Sequence, residues 1–305
     1  MKIKDPFHPG EVKIQEDLNE RETALLNGRL YEDVVMAPAH KFLSQLQYFI
    51  LSTEDLNKTI PVSILFGAPG FISVDTTGKI LTFDLSAHKN KSIDPVLSII
   101  TNESLVGGLA IELSTRRRLR INGKVILISN DKLMIEVAES YPNCPKYIQK
   151  RTVEISDNVH GETAKTDGDL IDPLRDILKN ADTFFVSSLN PDGLADASHR
   201  GGPKGFIEIA ENNTLRIPDY SGNSLYNTFG NFSLNSQAGI VVWDFDSSCF
   251  IHLFGVATLE FGIQDEMHKT GGTGRWWSFK VNYWIKQSVV LPFSLKFIEQ
   301  SPFNP

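Results

Sequence analysis

Two halves of this chain repeat one another. Shifted by 135 residues, YFILST at 48–53 falls on TFFVSS at 183–188, and SILFGAPGFISV at 63–74 falls on SHRGGPKGFIEI at 198–209 without a gap. A shift of 132, equivalent to three residues lost in the connection between, lays GGLAIELSTRRRLRINGKV at 107–125 on GIVVWDFDSSCFIHLFGVA at 239–257. Gly107 then meets Gly239 and Gly123 meets Gly255, while Glu112 pairs with Asp244 and Ile121 with Leu253. Agreement at three segments implies one supersecondary plan used twice.

Each copy opens with a short helical stretch, APAHKFLSQLQ before the first and IDPLRDILKNA before the second, the latter with Asp172 as N-cap and Pro173 at the first helical position. A buried strand, a glycine-containing hairpin region, another strand, a variable connection and a strand pair joined by LSTRR or DFDSSC follow. Short strands at this spacing, in a chain with 22 Gly, 15 Pro and 19 Phe, predict a small barrel, whose closure removes sheet edges. Outside the repeat, residues 11–30 predict a surface helix with partial periodicity at Leu18, Thr23 and Leu25. Residues 132–155 predict strand, helix or loop, then strand, and the polar stretch 157–170 predicts a linker. Alternation of Trp277, Phe279, Val281 and Tyr283 with Ser278, Lys280 and Asn282 predicts a final strand. The 305 residues suit two units, 1–160 and 161–305, with one large domain as the alternative.

A formal charge of -7 argues against a general nucleic-acid binder, which needs a basic face. No apolar run of 18 residues occurs, and MKIKDPFHPGE lacks the apolar core of a signal peptide, so a cytoplasmic protein with no membrane partner is expected. Cys144 and Cys249 sit in unlike settings that suggest neither a disulfide framework nor a zinc ladder. Cys144 has no base identifiable beside it and reads as a structural or incidental thiol.

The repeat separates scaffold from addition. Gly70-Phe71-Ile72 has the form of Gly205-Phe206-Ile207, whereas Ser63-Ile64-Leu65 becomes Ser198-His199-Arg200. Arg200 has a fork suited to phosphate and Gly201-Gly202 could add backbone N–H groups, the alternative being a solvated arginine. His199 could donate to the same anion or move a proton, or be an ordinary structural histidine. The glycine spacing is neither that of a P-loop nor that of a dinucleotide turn. In TRRRLRING at 115–123, a strand would place Leu119 and Ile121 on one face and Arg118 and Arg120 on the other: an anion site or a solvated basic face. The second copy has Phe250 and His252 there. PDYSGNSLYNTFGNFSLN at 218–235 is dense in amides, hydroxyls and glycines, fit for an oxygen-rich ligand or simply a polar loop.

SHRGG at 198–202, Gly205-Phe206, PDYSGN at 218–223, GNFSLN at 230–235 and NCPKYI at 143–148 together resemble the FMN-binding split-barrel proteins related to pyridoxamine 5'-phosphate oxidase, nearest to a tandem-barrel branch of them. The resemblance implies a mainly β chain with short helices, two tandem FMN-binding split β-barrels forming an intrachain pseudo-dimer, with further homo-oligomerisation open. It implies FMN as cofactor, bound by Ser198, His199, Arg200, Tyr220 and Asn223 of the second copy, with Arg117 or Arg118 approaching from the first and Arg275 as a late basic residue beside the flavin. A polar position that contacts flavin in that family falls on Arg118 in one copy and Phe250 in the other, so equal sites are not expected. The activity implied is that of an FMN-dependent oxidoreductase acting on a small molecule, with NADH or NADPH as candidate reductants. Two rivals are a non-enzymatic flavin-binding or sensing protein and a haem-binding split barrel using one of His8, His40, His88, His160, His199, His252 or His268.

Overall fold

A computed structural model describes residues 5–88, 91–155 and 163–305. Helices α1 (Pro9–Asp17) and α2 (Arg21–Asn27) come first, and α3 (Ala37–Gln45) leads into the first sheet. Its strands are β1 (Tyr48–Thr53), β2 (Val62–Phe66), β3 (Ile72–Val74), β4 (Ile80–Asp84), β5 (Leu105–Glu112), β6 (Arg117–Ile128) and β7 (Lys132–Pro142). After β8 (Lys150–Ile155) and β9 (Thr163–Asp167), α4 (Asp172–Asn180) leads into the second: β10 (Thr183–Leu189), β11 (Ala195–Gly201), β12 (Glu208–Ala210), β13 (Thr214–Pro218), helix α5 (Asn227–Leu234), β14 (Gln237–Asp244), β15 (Cys249–Glu260) and β16 (Trp276–Ser288). A last strand, β17 (Phe293–Glu299), pairs with β8.

The two sheets have one topology. The first runs β2-β1-β5-β6-β7-β4-β3 and the second β11-β10-β14-β15-β16-β13-β12, which is the same order strand for strand, with β9 added on β16. Helices α3 and α4 sit at the same offset of 135 residues. Each sheet is an antiparallel path with two ends; no pairing joins those ends among the described residues, so the expected closure is not seen as hydrogen bonding.

Why β1 and β10 read as unbroken apolar runs follows from the packing. Phe49 and Leu51 enter one core with Leu65, Phe83, Val106 and Ile135, while their neighbours Tyr48 and Ile50 face the other sheet. Phe184 and Val186 likewise enter a second core, and Phe185 joins Tyr48, Ile50, Ile64, Leu109, Val241 and Trp243 in a third core shared by both sheets. A strand buried on both faces loses the polar alternation of a surface strand. The contact is reciprocal and close: a Cβ on Gly107 would lie 2.3 Å from Ala195 O, and one on Gly239 would lie 2.2 Å from Ile60 O, a residue that itself matches Ala195 under the 135 shift. Only glycine lets the two backbones approach in this way.

Several expectations are corrected. Residues 11–30 do not form one surface helix, because Asn19 adopts a left-handed φ of 56° that ends α1, and α1 buries Gly10, Glu11, Ile14 and Gln15. Ile171 rather than Asp172 is the N-cap of α4. Part of the expected linker, Thr163–Asp167, pairs with residues 284–288 of β16, beyond the stretch that β13 covers, while 157–162 lie outside the described residues. β16 is not final, since Phe293 and Leu295 of β17 complete the shared core. Residues 227–234 are helix rather than polar loop, as Phe229 and Phe232 lie on a face that covers the second core.

Candidate functional site

A cleft with about 920 Å³ of atom-free space, part of it open to solvent, lies where β6 of the first sheet meets β11 of the second under the loops at 143–147 and 219–226. The cavity itself holds about 120 Å³. Arg118 donates from Nε to Cys144 O at 2.6 Å and places Nη1 3.1 Å from His199 Nδ1. A guanidinium only donates, so Nδ1 accepts and the neutral imidazole carries its proton on Nε2. Burial and the charges of Arg118, Arg200 and Arg151 push His199 well below its ordinary pKa, which fixes that neutral state. Its Nε2 is buried without a partner.

Arg200 is the second half of the site. Its Nη1 makes one long bond to His199 O at 3.3 Å, and its buried Nε has no partner. Burial lowers the pKa of Arg118 to about 9 and also lowers that of Arg200, which is how the cost of holding these cations away from water shows itself. Neither arginine forms an ion pair among the described residues, whereas the adjacent Arg120 pairs with Asp196. A further orphan donor, Asn143 Nδ2, lies on the same wall.

Other expected ligands are brought to the cleft but already engaged. Ser198 Oγ accepts from Arg120 Nη2 at 2.8 Å and from Thr228 Oγ1 at 2.9 Å, and donates to Asp196 at 3.3 Å, so its hydroxyl is saturated and sets the arginine's position. Asn223 Nδ2 donates to Asn143 Oδ1 at 3.1 Å and Asn223 Oδ1 caps Leu225 N, tying the two roof loops together. Tyr220 packs 4.8 Å from Tyr147, whose hydroxyl donates to Ser221 O at 3.0 Å. Arg275 is locked by Asp219 at 2.8 Å and Glu20 at 3.4 Å, which leaves it a brace for the 219–226 loop. Burial lowers the Arg275 pKa, but Asp219 and Tyr226 raise it by more. Arg117 does not reach the cleft: it pairs with Glu112 at 2.8 Å and lies over Phe42.

Asn143 and Tyr147, from the NCPKYI segment, and Asp196, through Ser198 and Arg120, also shape the cleft, although none was an expected ligand. Asp196 had a signal, its two-residue spacing from Ser198 on one strand; the other two lie in a loop whose course only the fold supplies.

The matching place in the other half is filled. Arg118 and Arg120 correspond to Phe250 and His252, and His199 and Arg200 to Ile64 and Leu65. Phe250, Ile64 and Leu65 are buried in apolar cores. His252 Nδ1 sits 2.9 Å from Val62 O with Nε2 3.1 Å from Gln287, and His88 lies tilted against the Phe66 ring while accepting its backbone N–H. The remaining histidines of the haem alternative are placed as follows. His8 caps α1, His40 bonds Val35 O, His268 lies in the loop after β15, and His160 is outside the described residues. No group of three or more metal-binding side chains occurs among the described residues.

No protein-family model and no curated protein matches this chain. Among solved structures it is similar to a protein of Clostridium acetobutylicum related to general stress protein 26 (pyridoxinephosphate oxidase family), at 9% identity over 41% of this chain and 91% of that one, with a TM-score of 0.30. An FAD-binding protein of Mesorhizobium loti matches at 8% identity over 41% and 98%, TM-score 0.29. HutZ, a haem storage protein of Vibrio cholerae, matches at 9% identity over 37% and 92%, TM-score 0.28. No helix among the described residues is long and apolar enough to cross a membrane.

Proposed function

We propose that the cleft holds the phosphate of FMN, at one site per chain, and that the protein is an FMN-dependent oxidoreductase of a small molecule. The observation that carries the reading is the pair Arg118 and Arg200, two half-buried guanidiniums that form no ion pair among the described residues, the one carboxylate whose charge reaches Arg200, Asp219, being already paired with Arg275. Charges drawn partly out of water without a full counter-ion are costly, and an anionic ligand removes that cost. The donors fit such a group: Arg200 Nε, His199 Nε2 and Asn143 Nδ2 all lack an acceptor. A planar fork of guanidinium N–H groups suits a phosphate's oxygens.

A cavity of about 120 Å³ has room for a phosphate group and less than a tricyclic ring needs. Binding in this reading therefore displaces the 219–226 loop, whose ties to the opposite loop are the Tyr147–Ser221 and Asn223–Asn143 bonds. Bound flavin supplies electron or hydride transfer. The chain's own contribution is to neutralise the phosphate with Arg118 and Arg200, to donate from His199 Nε2, and to hold Arg120 and Ser198 in place through Asp196. In the same reading the two sheets are split barrels paired within one chain, and 1–160 and 161–305 are the two units. The oxidoreductase activity, rather than storage or sensing of flavin, is tested by turnover.

The experiment is anaerobic purification followed by an absorption spectrum and mass analysis of the released ligand. FMN near one per chain supports the reading; no bound flavin and no binding on titration defeats it. Reduction of the loaded protein by NADH or NADPH, with reoxidation over many turnovers, separates an enzyme from a binder.

A further inference from the structure

Gly201 lines the first cleft, and the next residue, Gly202, lines a second, larger one with about 1390 Å³ of atom-free space, part of it open to solvent. The walls of this second cleft are aromatic, with Trp243, Phe245 and Phe297 among them. Arg151 enters between the rings, its Cζ 3.9 Å from the Phe245 centroid and 5.6 Å from that of Phe297. One edge of the guanidinium is used: Nη2 donates to both Asp182 oxygens at 2.8 and 2.7 Å. Nη1 has no partner, although the residue is only 6% exposed. Around the cleft, Asp176, Asp244 and Asp246 form no ion pair among the described residues, and neither does Lys204.

These groups set three requirements. A buried guanidinium N–H without an acceptor calls for an oxygen, best a carboxylate. Aromatic walls call for a flat apolar body. The rim carboxylates, Asp246 exposed and Asp244 already accepting from Asp246 N and Ser247 Oγ, favour a cation over an anion. A simple anion meets a lining in which Asp176, Asp182, Asp244 and Asp246 outnumber Arg151 and Lys204, and a simple cation leaves Arg151 Nη1 unmet.

We propose that this second cleft is a binding site for a small zwitterion of the aromatic amino-acid class, its carboxylate on Arg151, its ring against Trp243 and Phe245, and its ammonium on the Asp244–Asp246 rim. The site depends on nothing that is claimed for the first cleft.

The test is calorimetric titration of the full chain with L-phenylalanine, 3-phenylpropionate and 2-phenylethylamine. L-phenylalanine binds most tightly, and each probe lacking one charge binds about tenfold more weakly or worse, the loss expected for one charge-assisted bond. Asp246→Asn, an exposed change, weakens L-phenylalanine and 2-phenylethylamine and leaves 3-phenylpropionate unchanged. Arg151→Lys does the converse, weakening the two carboxylate probes; if that variant does not fold, Asp246→Asn still decides. The proposal is overturned if L-phenylalanine gives no heat and no tryptophan quenching up to about 20 mM, weaker than any useful affinity. It is equally overturned if the three probes bind alike or Asp246→Asn changes nothing.

Discussion

Neighbouring arginines in this protein have opposite energetic roles, because Arg120 is ion-paired to its own carboxylate and, among the described residues, Arg200 is not. Arg120 is buried against Asp196, so Arg120→Met strands a buried carboxylate and lowers stability by about 3–5 kcal/mol, read from chemical denaturation. Arg200 forms no ion pair among the described residues, and the nearby Asp219 keeps Arg275 as its partner when Arg200 is removed, so Arg200→Met raises the stability of the ligand-free protein by about 1 kcal/mol while abolishing the stabilisation expected from added FMN. A fall in ligand-free stability for both variants would reject the distinction. Glu11 gives a pH test elsewhere: burial pushes its carboxyl up to about 7 against bonds from His8 N and Asn227 that lower it. Its folded pKa lies above its unfolded value of 4.5, so the stability it contributes is full below that value and is lost as pH rises through about 7. Glu11→Gln lacks this loss, and its melting temperature therefore gains on the parent's between about pH 5 and pH 8.

At the scale of elements, the same plan used twice makes paired predictions. Gly107→Ala and Gly239→Ala each push a methyl into the opposite sheet's backbone and destabilise by about 1–3 kcal/mol or more. Gly205→Ala meets no atom within 4 Å, but its φ of +86° costs about 1–2 kcal/mol, as does Gly70→Ala at +96°. Thermal melts of the four variants check both pairs; a harmless Gly107→Ala would contradict the close approach of the two sheets. This level was the most legible one. The 135 and 132 shifts place β1 on β10, β5 on β14 and β6 on β15, and α3 on α4, residue for residue. What escaped was governed by contacts distant in sequence. α5 looked like a polar loop because its Thr228 and Asn231 are buried polar residues that bond Ser198 and Ser188. β17 carried no repeat partner to reveal it. Within the site, Arg118, His199 and Arg200 were legible as an addition to a shared scaffold. Arg275 and Ser198 were legible as residues near it, but not as groups whose hydrogen bonds were already used.

For the molecule as a whole, the candidate site exists only because the halves are joined. Arg118 comes from β6 of the first sheet and Arg200 from β11 of the second, and the two sheets share one core. Phe185→Ala, in that core and 5.8 Å from the His199 ring, should cost about 3–5 kcal/mol and weaken FMN binding together with stability. The asymmetry is equally a property of the whole: Phe250, Ile64 and Leu65 fill with apolar side chains the place where the other half gathers cations. The most direct measurement is a stoichiometric titration of the chain with FMN and with riboflavin, repeated on Arg200→Ala. One FMN per chain is predicted, with Arg200→Ala losing affinity for FMN and keeping that for riboflavin. Two FMN per chain, or equal losses for both ligands, would contradict a single phosphate-holding site.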